Sequence, residues 1–171
     1  MRTHKIRNAG LLLGIGLGGF LDGIVLHQIL QWHSMLSGRL EVHASMDAMQ
    51  TSMAADGWFH LVTWLVTLAG VMVLWSALRG PGPLPNGRSL AGWGLIGWGA
   101  FNLVEGLVNH LVLGLHHVRD LPEHVPAYDW LFLLVGGLGL MAIGHAVKAS
   151  KAQPVTERRC GFDRRSASPL R

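Results

Sequence analysis

The sequence predicts an all-α, polytopic membrane protein whose four transmembrane helices form an up-down bundle with short loops. Half of its 171 residues are apolar and only 14% are charged, which is too apolar for an ordinary soluble domain of this length. Four apolar stretches approach the ~20 residues that cross a bilayer. The basic residues are also distributed unevenly between the predicted loops, as is typical of membrane proteins.

Each predicted span is bounded to within about two to four residues. The spans cover residues 9–32, 58–78, 90–115 and 130–147. The first is interpreted as a retained helix and not as a signal peptide, because its apolar run is too long and Asp22 interrupts it. The four helices are expected to form one domain, residues 1–149, followed by a basic, disordered cytoplasmic tail at 150–171.

Basic residues predict the orientation of the spans. Of the 14 Lys and Arg residues, only Arg39 and Arg119 lie in the two loops on the side opposite the termini. Cytoplasmic loops carry the excess of Lys and Arg, so both termini are expected in the cytoplasm, with the chain in a bacterial inner membrane. The net charge of +4 then reflects topology, and no aromatic-interleaved basic patch indicates nucleic-acid binding.

Eight of the ten histidines are predicted on the periplasmic side, several of them inside apolar helices. Ionisable groups at membrane depth are costly and usually functional. Imidazoles combined with carboxylates are the side chains that bind transition metals. The predicted metal ligands are His27, His33, His60, Glu105, His110, His116, His117 and Asp22. Two loop residues, His43 and His124, are weaker candidates.

Helical geometry groups some of these ligands. At ~100° per residue, Glu105 and His116 lie on one stripe of the third helix, and His110 lies on an adjoining stripe. In the first helix, Asp22 and His27 are about 140° apart. These two residues need not bind the same ion, so one is expected to bind the metal and the other to support a ligand.

The long loop at residues 34–57 is predicted to hold an amphipathic helix over about 41–53. Its apolar edge consists of Met46, Met49 and Met53. Methionine at such a site can bind Cu(I), although a methionine stripe is more often a packing edge.

Three sequence blocks resemble a family of four-span bacterial membrane proteins of unknown function. They are GFLDGIVLHQILQWHSMLS at 19–37, DGWFH at 56–60 and FNLVEGLVNHLVLGLHHVR at 101–119. The resemblance extends from the first predicted helix to the fourth, and it implies a topology but no activity. Family members often have a second His after the position of His33, where this chain has Ser34, and a His at the position of Asn109.

The leading functional hypothesis is an integral membrane metalloprotein with a periplasm-facing His/carboxylate site. Copper, zinc and iron suit these donors better than calcium or magnesium, and the periplasmic setting slightly favours copper or zinc. A standard diiron site is not expected, because Glu105 lacks a His three residues later. The protein would be a redox enzyme or a copper-handling factor, and the sequence leaves open whether it is an enzyme.

Three alternatives remain open. A small b-type haem protein could use His27 and His110 as axial ligands, although the glycine-rich spans predict tight packing. A proton or ion pathway could use Asp22 and Glu105, but the cytoplasmic half lacks matching ionisable residues. The chain could also be a non-catalytic subunit of a membrane complex. Its expected partners are the lipid bilayer and either other membrane subunits or a second copy of the chain.

Overall fold

The computed structural model describes residues 2–81 and 86–149, and all regular structure in these ranges is helical, which confirms the predicted fold class. The predicted tail at 150–171 lies outside the described residues. The four helices are α1 (Arg2–Ile29), α2 (Met46–Leu78), α3 (87–112) and α4 (Pro126–Ala149). We call the end of the bundle where α1 and α3 stop, and α2 and α4 begin, the histidine end.

Three of these helices, α1, α2 and α4, are long and apolar enough to cross a membrane, with mean hydropathies of 1.9, 2.0 and 1.9. The sequence of α3 is interrupted by the polar residues Asn102, Glu105 and Asn109. This helix lies between α1 and α4, so these side chains face protein on at least one side. Large apolar residues of α2, such as Trp58 and Trp75, are exposed, as expected of a helix surface that meets lipid.

The long loop before α2 is shorter than predicted. Ser45 caps α2, and its Oγ accepts a hydrogen bond of 3.1 Å from Ala48 N. Residues 46–53 are therefore the first turns of α2 and do not form a separate helix. Met46 and Met53 are exposed on these turns.

Three segments of the helices are π-helical: Gly23–Ile29 in α1, Gly106–Val112 in α3 and Phe132–Gly139 in α4. A π-helix forms i→i+5 hydrogen bonds, which bring residues five apart onto one face. Asp22 and His27 consequently lie together, and the separation of about 140° expected for an α-helix does not apply.

The π-helical ends of α1 and α3 are built alike. In each, the first residue after the segment donates its backbone N–H to a carbonyl five residues earlier, at 2.8 Å. The next residue has a left-handed backbone, with φ of 52° at Gln31 and 55° at Gly114. Glycine adopts this conformation readily, whereas glutamine does so only at some cost.

These similarities reveal an internal repeat of a helix pair. The segment DGIVLHQILQWH at 22–33 matches EGLVNHLVLGLH at 105–116, with the acidic residue, the glycine, one valine and two histidines at an offset of 83. We call residues 2–81 the first half and residues 86–149 the second half. Each half contributes one helix that ends, and one that begins, at the histidine end.

The two halves meet where α1 crosses α3 at glycines. An ideal Cβ on Gly14 would lie 1.9 Å from Gly94 O, and one on Gly97 would lie 2.3 Å from Leu11 O. The offset of 83 relates Gly14 to Gly97 and Leu11 to Gly94, so the contact is reciprocal. With α2 packed on α1 and α4 packed on α3, a pseudo-two-fold axis relates the halves.

Candidate metal centre

Eight polar residues gather at the histidine end, and none of them is more than 7% exposed as a whole residue. They are Asp22, His27, His33, Asp56, Glu105, His110, His116 and Asp129. Buried ionisable groups at this density require partners, since each isolated charge would be strongly disfavoured in an apolar bundle.

Two glycines allow the flanking helices to approach. Gly23 follows Asp22 directly, and a Cβ there would lie 2.4 Å from Nε2 of His60 on α2. Gly106 follows Glu105, and a Cβ there would lie 2.8 Å from Cδ2 of Leu133 on α4. The flanking helices can therefore place their own carboxylates beside the histidines of α1 and α3.

In the first half, one histidine lies between two carboxylates. His27 Nε2 is 3.3 Å from Asp22 Oδ2, while His27 Nδ1 hydrogen-bonds Asp56 Oδ1 at 3.0 Å. The backbone N of Met35 also donates to Asp56 Oδ1, at 2.8 Å. Asp56 thus fixes both the imidazole and the chain that leaves α1.

The second half repeats this arrangement. His110 Nε2 is 3.1 Å from Glu105 Oε2, and His110 Nδ1 is 3.3 Å from Asp129 Oδ1. The backbone N of Val118 donates to Asp129 Oδ1 at 2.9 Å. Asp129 therefore occupies in this half the place that Asp56 occupies in the first.

The remaining two histidines stack on each other between the halves. The rings of His33 and His116 have centroids 4.6 Å apart and planes 8° apart. His33 Nδ1 bonds the carbonyl of Val118 at 2.9 Å, and His116 Nδ1 bonds the carbonyl of Met35 at 3.3 Å. Met35 and Val118 are also related by the offset of 83. Each of the two histidines therefore bonds the equivalent carbonyl in the other half.

The tautomers follow from these contacts. A neutral imidazole that donates through Nδ1 presents a lone pair at Nε2. Yet His116 Nε2 lies 2.7 Å from Glu105 Oε1, and His33 Nε2 lies 4.0 Å from Asp22 Oδ2. Two acceptors that face each other need a proton or a cation between them. Metal-binding histidines characteristically donate their other ring N–H to a carboxylate or carbonyl, as His27, His33 and His116 are placed to do here. His110 Nδ1 lies 3.3 Å from Asp129 Oδ1 without a hydrogen bond.

Buried polar atoms without a hydrogen-bond partner concentrate in this centre. Among the described residues they are His27 Nε2, His33 Nε2, Glu105 Oε2, both ring nitrogens of His110, and His117 Nδ1. Each such atom costs roughly 1–3 kcal/mol when it is left unpaired. Five of these six atoms lie in the centre, where a bound ligand would satisfy them, and His117 Nδ1 lies in the neighbouring cluster with His124.

The distances fit transition-metal coordination. The ligand atoms of His27, His33 and His116 all lie within 4.8 Å of one another, as do those of Glu105, His110 and His116. Metal bonds of ~2.0–2.1 Å separate tetrahedral ligands by about 3.3 Å, similar to the carboxylate-to-Nε2 distances in both halves. The two sets share His116, and only the second contains a carboxylate. Asp22 lies beside the first set, with its Oδ2 3.3 Å from His27 Nε2 and 4.0 Å from His33 Nε2.

The charges suit two divalent ions. Asp22, Asp56, Glu105 and Asp129 carry four negative charges when ionised, and their ion-pair partners in the described residues are histidines. Burial and the neighbouring His116 lower the pKa of His33 to about 4, so this imidazole is neutral at neutral pH. Two divalent ions would balance the charge of the four carboxylates.

Six of the predicted ligands are brought together here, and two are not. His60 Nδ1 bonds the carbonyl of Asp56 in its own helix at 2.9 Å, and its ring packs over Gly23, away from the converging Nε2 atoms. His117 lies in a separate, partly exposed cluster with His124 and Asp129.

The two flanking carboxylates, Asp56 and Asp129, were absent from the predicted ligands. A signal for them existed, because Asp56 and Phe59 match Asp129 and Phe132 at an offset of 73. Each phenylalanine contacts the histidine of its own half, with ring centroids 5.6 Å apart for Phe59 and His27. Recognition of the repeat would have assigned both aspartates the same role.

The geometry disfavours haem at these residues. Ring centroids of His27 and His33 are 4.4 Å apart, those of His33 and His116 are 4.6 Å apart, and those of His110 and His116 are 5.0 Å apart. Imidazoles in mutual contact leave no space for a macrocycle between them. Individual ions fit the same space.

Comparison with known proteins adds the family. No curated protein and no solved structure matches the chain. A family model described as "Predicted membrane protein (DUF2243)" matches residues 9–151, and the chain therefore belongs to this family of predicted membrane proteins.

Proposed function

We propose that this protein is an integral membrane metalloprotein that holds a pair of transition-metal ions at the histidine end. One ion is bound by Asp22, His27 and His33, and the other by Glu105, His110 and His116. The observation that carries the proposal is the orientation of the four imidazoles. Their Nδ1 atoms face acceptors, while their Nε2 atoms face carboxylates that are also acceptors.

The proposed setting is a bacterial inner membrane, with both termini cytoplasmic and the histidine end periplasmic. The asymmetric distribution of Lys and Arg supports this orientation. Reporter fusions after His43 and after Arg171 are expected to give opposite signals. A cytoplasmic signal after His43 would contradict the orientation.

A pocket gives small ligands access to the first half of the centre. Its cavity of about 290 Å³ is lined by His27, His33 and Asp56, and also by Met49 and Met53. Such a volume admits an ion or a small substrate, and it supports either a redox reaction or metal handling. Thioether sulfurs at the mouth favour the handling of copper, because soft donors select Cu(I).

Metal analysis of a conservative variant tests the proposal. Protein purified in detergent without a polyhistidine tag is expected to contain about two transition-metal ions in the inner centre, and Glu105→Gln is expected to lose at least one of them. The variant should stay folded, because a neutral amide is cheaper to bury than an unpaired carboxylate.

The matched comparison is Glu105→Ala, which removes both the charge and the hydrogen bonds. Equal loss of metal in the two variants, with stability lost mainly in Glu105→Ala, would support coordination by the carboxylate. Full metal content in Glu105→Gln would show that Glu105 only connects the helices.

A further inference from the structure

The second half carries a histidine cluster that the first half lacks. His117 Nδ1 and His124 Nε2 each lie 3.0 Å from Asp129 Oδ2, and the two rings stack with centroids 3.9 Å apart. At the position that matches His117, the first half has Ser34, whose Oγ hydrogen-bonds Ser52 Oγ at 2.7 Å. The repeat therefore does not account for this cluster.

The histidines of this cluster are more exposed than the residues of the inner centre. The side chain of His117 is 27% exposed and that of His124 is 40% exposed, whereas Asp129 is 6% exposed. His117 Nδ1 is itself buried and has no hydrogen-bond partner. The three ligand atoms lie within 4.8 Å of one another, a separation that a single metal ion can span.

Asp129 links this cluster to the inner centre. Its Oδ2 faces His117 and His124, while its Oδ1 accepts from Val118 N at 2.9 Å and lies 3.3 Å from His110 Nδ1. The Asp129 carboxylate thus directs one oxygen toward the outer cluster and the other toward His110 of the inner centre. An ion at the outer position would be adjacent to the histidine that supports the second inner ion.

We propose that His117, His124 and Asp129 form a third, solvent-accessible site for a divalent transition-metal ion such as Zn²⁺, and that ions enter the second half of the inner centre through it. Two imidazoles and a carboxylate are a donor set found in zinc sites with an open position. The proposed site follows from the contacts of His117, His124 and Asp129 alone. Its role in the entry of ions rests on the proposed function.

Zinc loading of the purified, metal-free full chain tests this inference. Wild-type protein is expected to bind three Zn²⁺ ions, one of which EDTA removes rapidly. The variant His117→Ala/His124→Ala should bind two ions, none of them rapidly removed, and should take up the ion of the second half more slowly than the wild type does. His145→Ala is the control, since it removes an exposed histidine of α4 that belongs to none of the proposed sites.

A second variant separates this inference from the proposed inner centre. His33→Leu/His116→Leu should retain the one rapidly removed ion. If the wild type binds only this ion and His117→Ala/His124→Ala loses it, the outer site is supported and the inner centre is rejected. An unchanged number of ions and an unchanged rate of uptake in His117→Ala/His124→Ala would overturn the third site.

Discussion

The first and second halves share the inner arrangement but differ at its rim. Inside, each half places an acidic residue and a histidine five positions apart on π-helical turns, with an aspartate from the next helix beside the histidine. At the rim, the first half has a pocket with methionines, and the second half has the pair His117 and His124 over Asp129. The inner residues that both halves share indicate which side chains the centre requires. The rim residues that differ indicate how ligands reach the centre in each half.

The insertion in the first half explains part of this difference. The offset between the halves is 83 from Asp22 to Glu105, but 73 from Asp56 to Asp129, so the first half has ten more residues between these positions. Part of this extra chain forms the first turns of α2, which carry Met49 toward the pocket. The shorter connection in the second half instead holds His124 against Asp129.

The largest expected loss of metal follows from replacing the stacked histidines His33 and His116, which occupy equivalent positions in the two halves. His33→Leu/His116→Leu should abolish binding of both inner ions, because each of the two proposed ligand sets contains one of these stacked imidazoles. Metal analysis after dialysis against buffered Zn²⁺ measures the loss. His60→Leu is the matched control, since Leu133 occupies the corresponding position in the second half, and it should keep both ions. Loss of metal in His60→Leu would show that His60 is also a metal ligand.

A smaller effect is expected when only one half is changed. His27→Leu should remove one inner ion and leave the other, and His110→Leu should do the same from the opposite side. Stoichiometry by elemental analysis, with gel filtration to verify folding, distinguishes these outcomes. If either single variant lost both ions, the centre would act as one unit and not as two related sites.

The flanking aspartates should have a weaker influence, and they test the difference at the rim. Asp56→Asn and Asp129→Asn should each lower the affinity of the nearby inner ion ~10–100-fold, as expected for a residue that orients a metal-binding histidine. Only Asp129→Asn should also release the rapidly exchanging outer ion. Competition with a chelator of known affinity measures both effects, and identical behaviour of the two variants would contradict the assigned asymmetry.

The smallest effect concerns the backbone. Gln31 has the left-handed conformation that Gly114 has in the second half. Gln31→Gly should therefore leave the free energy of unfolding unchanged or raise it by up to ~1 kcal/mol, whereas Gly114→Gln should lower it by about 1 kcal/mol. Thermal unfolding in detergent compares the two. A large destabilisation by Gln31→Gly would show that the Gln31 side chain contributes more than its backbone costs.

The sequence could predict the helices and most of the converging residues, since apolar length and the positions of histidines and carboxylates are local properties. It could not predict that Asp22 and His27 share a face, because the regular α-helical period does not hold where the chain forms π-helical turns. Nor could it separate His60 from His27, because the ring orientation depends on its bond to the carbonyl of Asp56. The repeat was visible in the sequence and would have pointed to both flanking aspartates.

Anomalous X-ray scattering at the metal edge, from crystals of the tag-free protein, tests the central claim most directly. We expect two peaks related by the pseudo-two-fold axis, one beside Asp22, His27 and His33 and the other beside Glu105, His110 and His116. No peak at either place, in crystals grown without chelator from metal-supplemented cells, would contradict the account. The buried histidines would then be protonated partners of the carboxylates, and the centre would be an ion-pair network without metal.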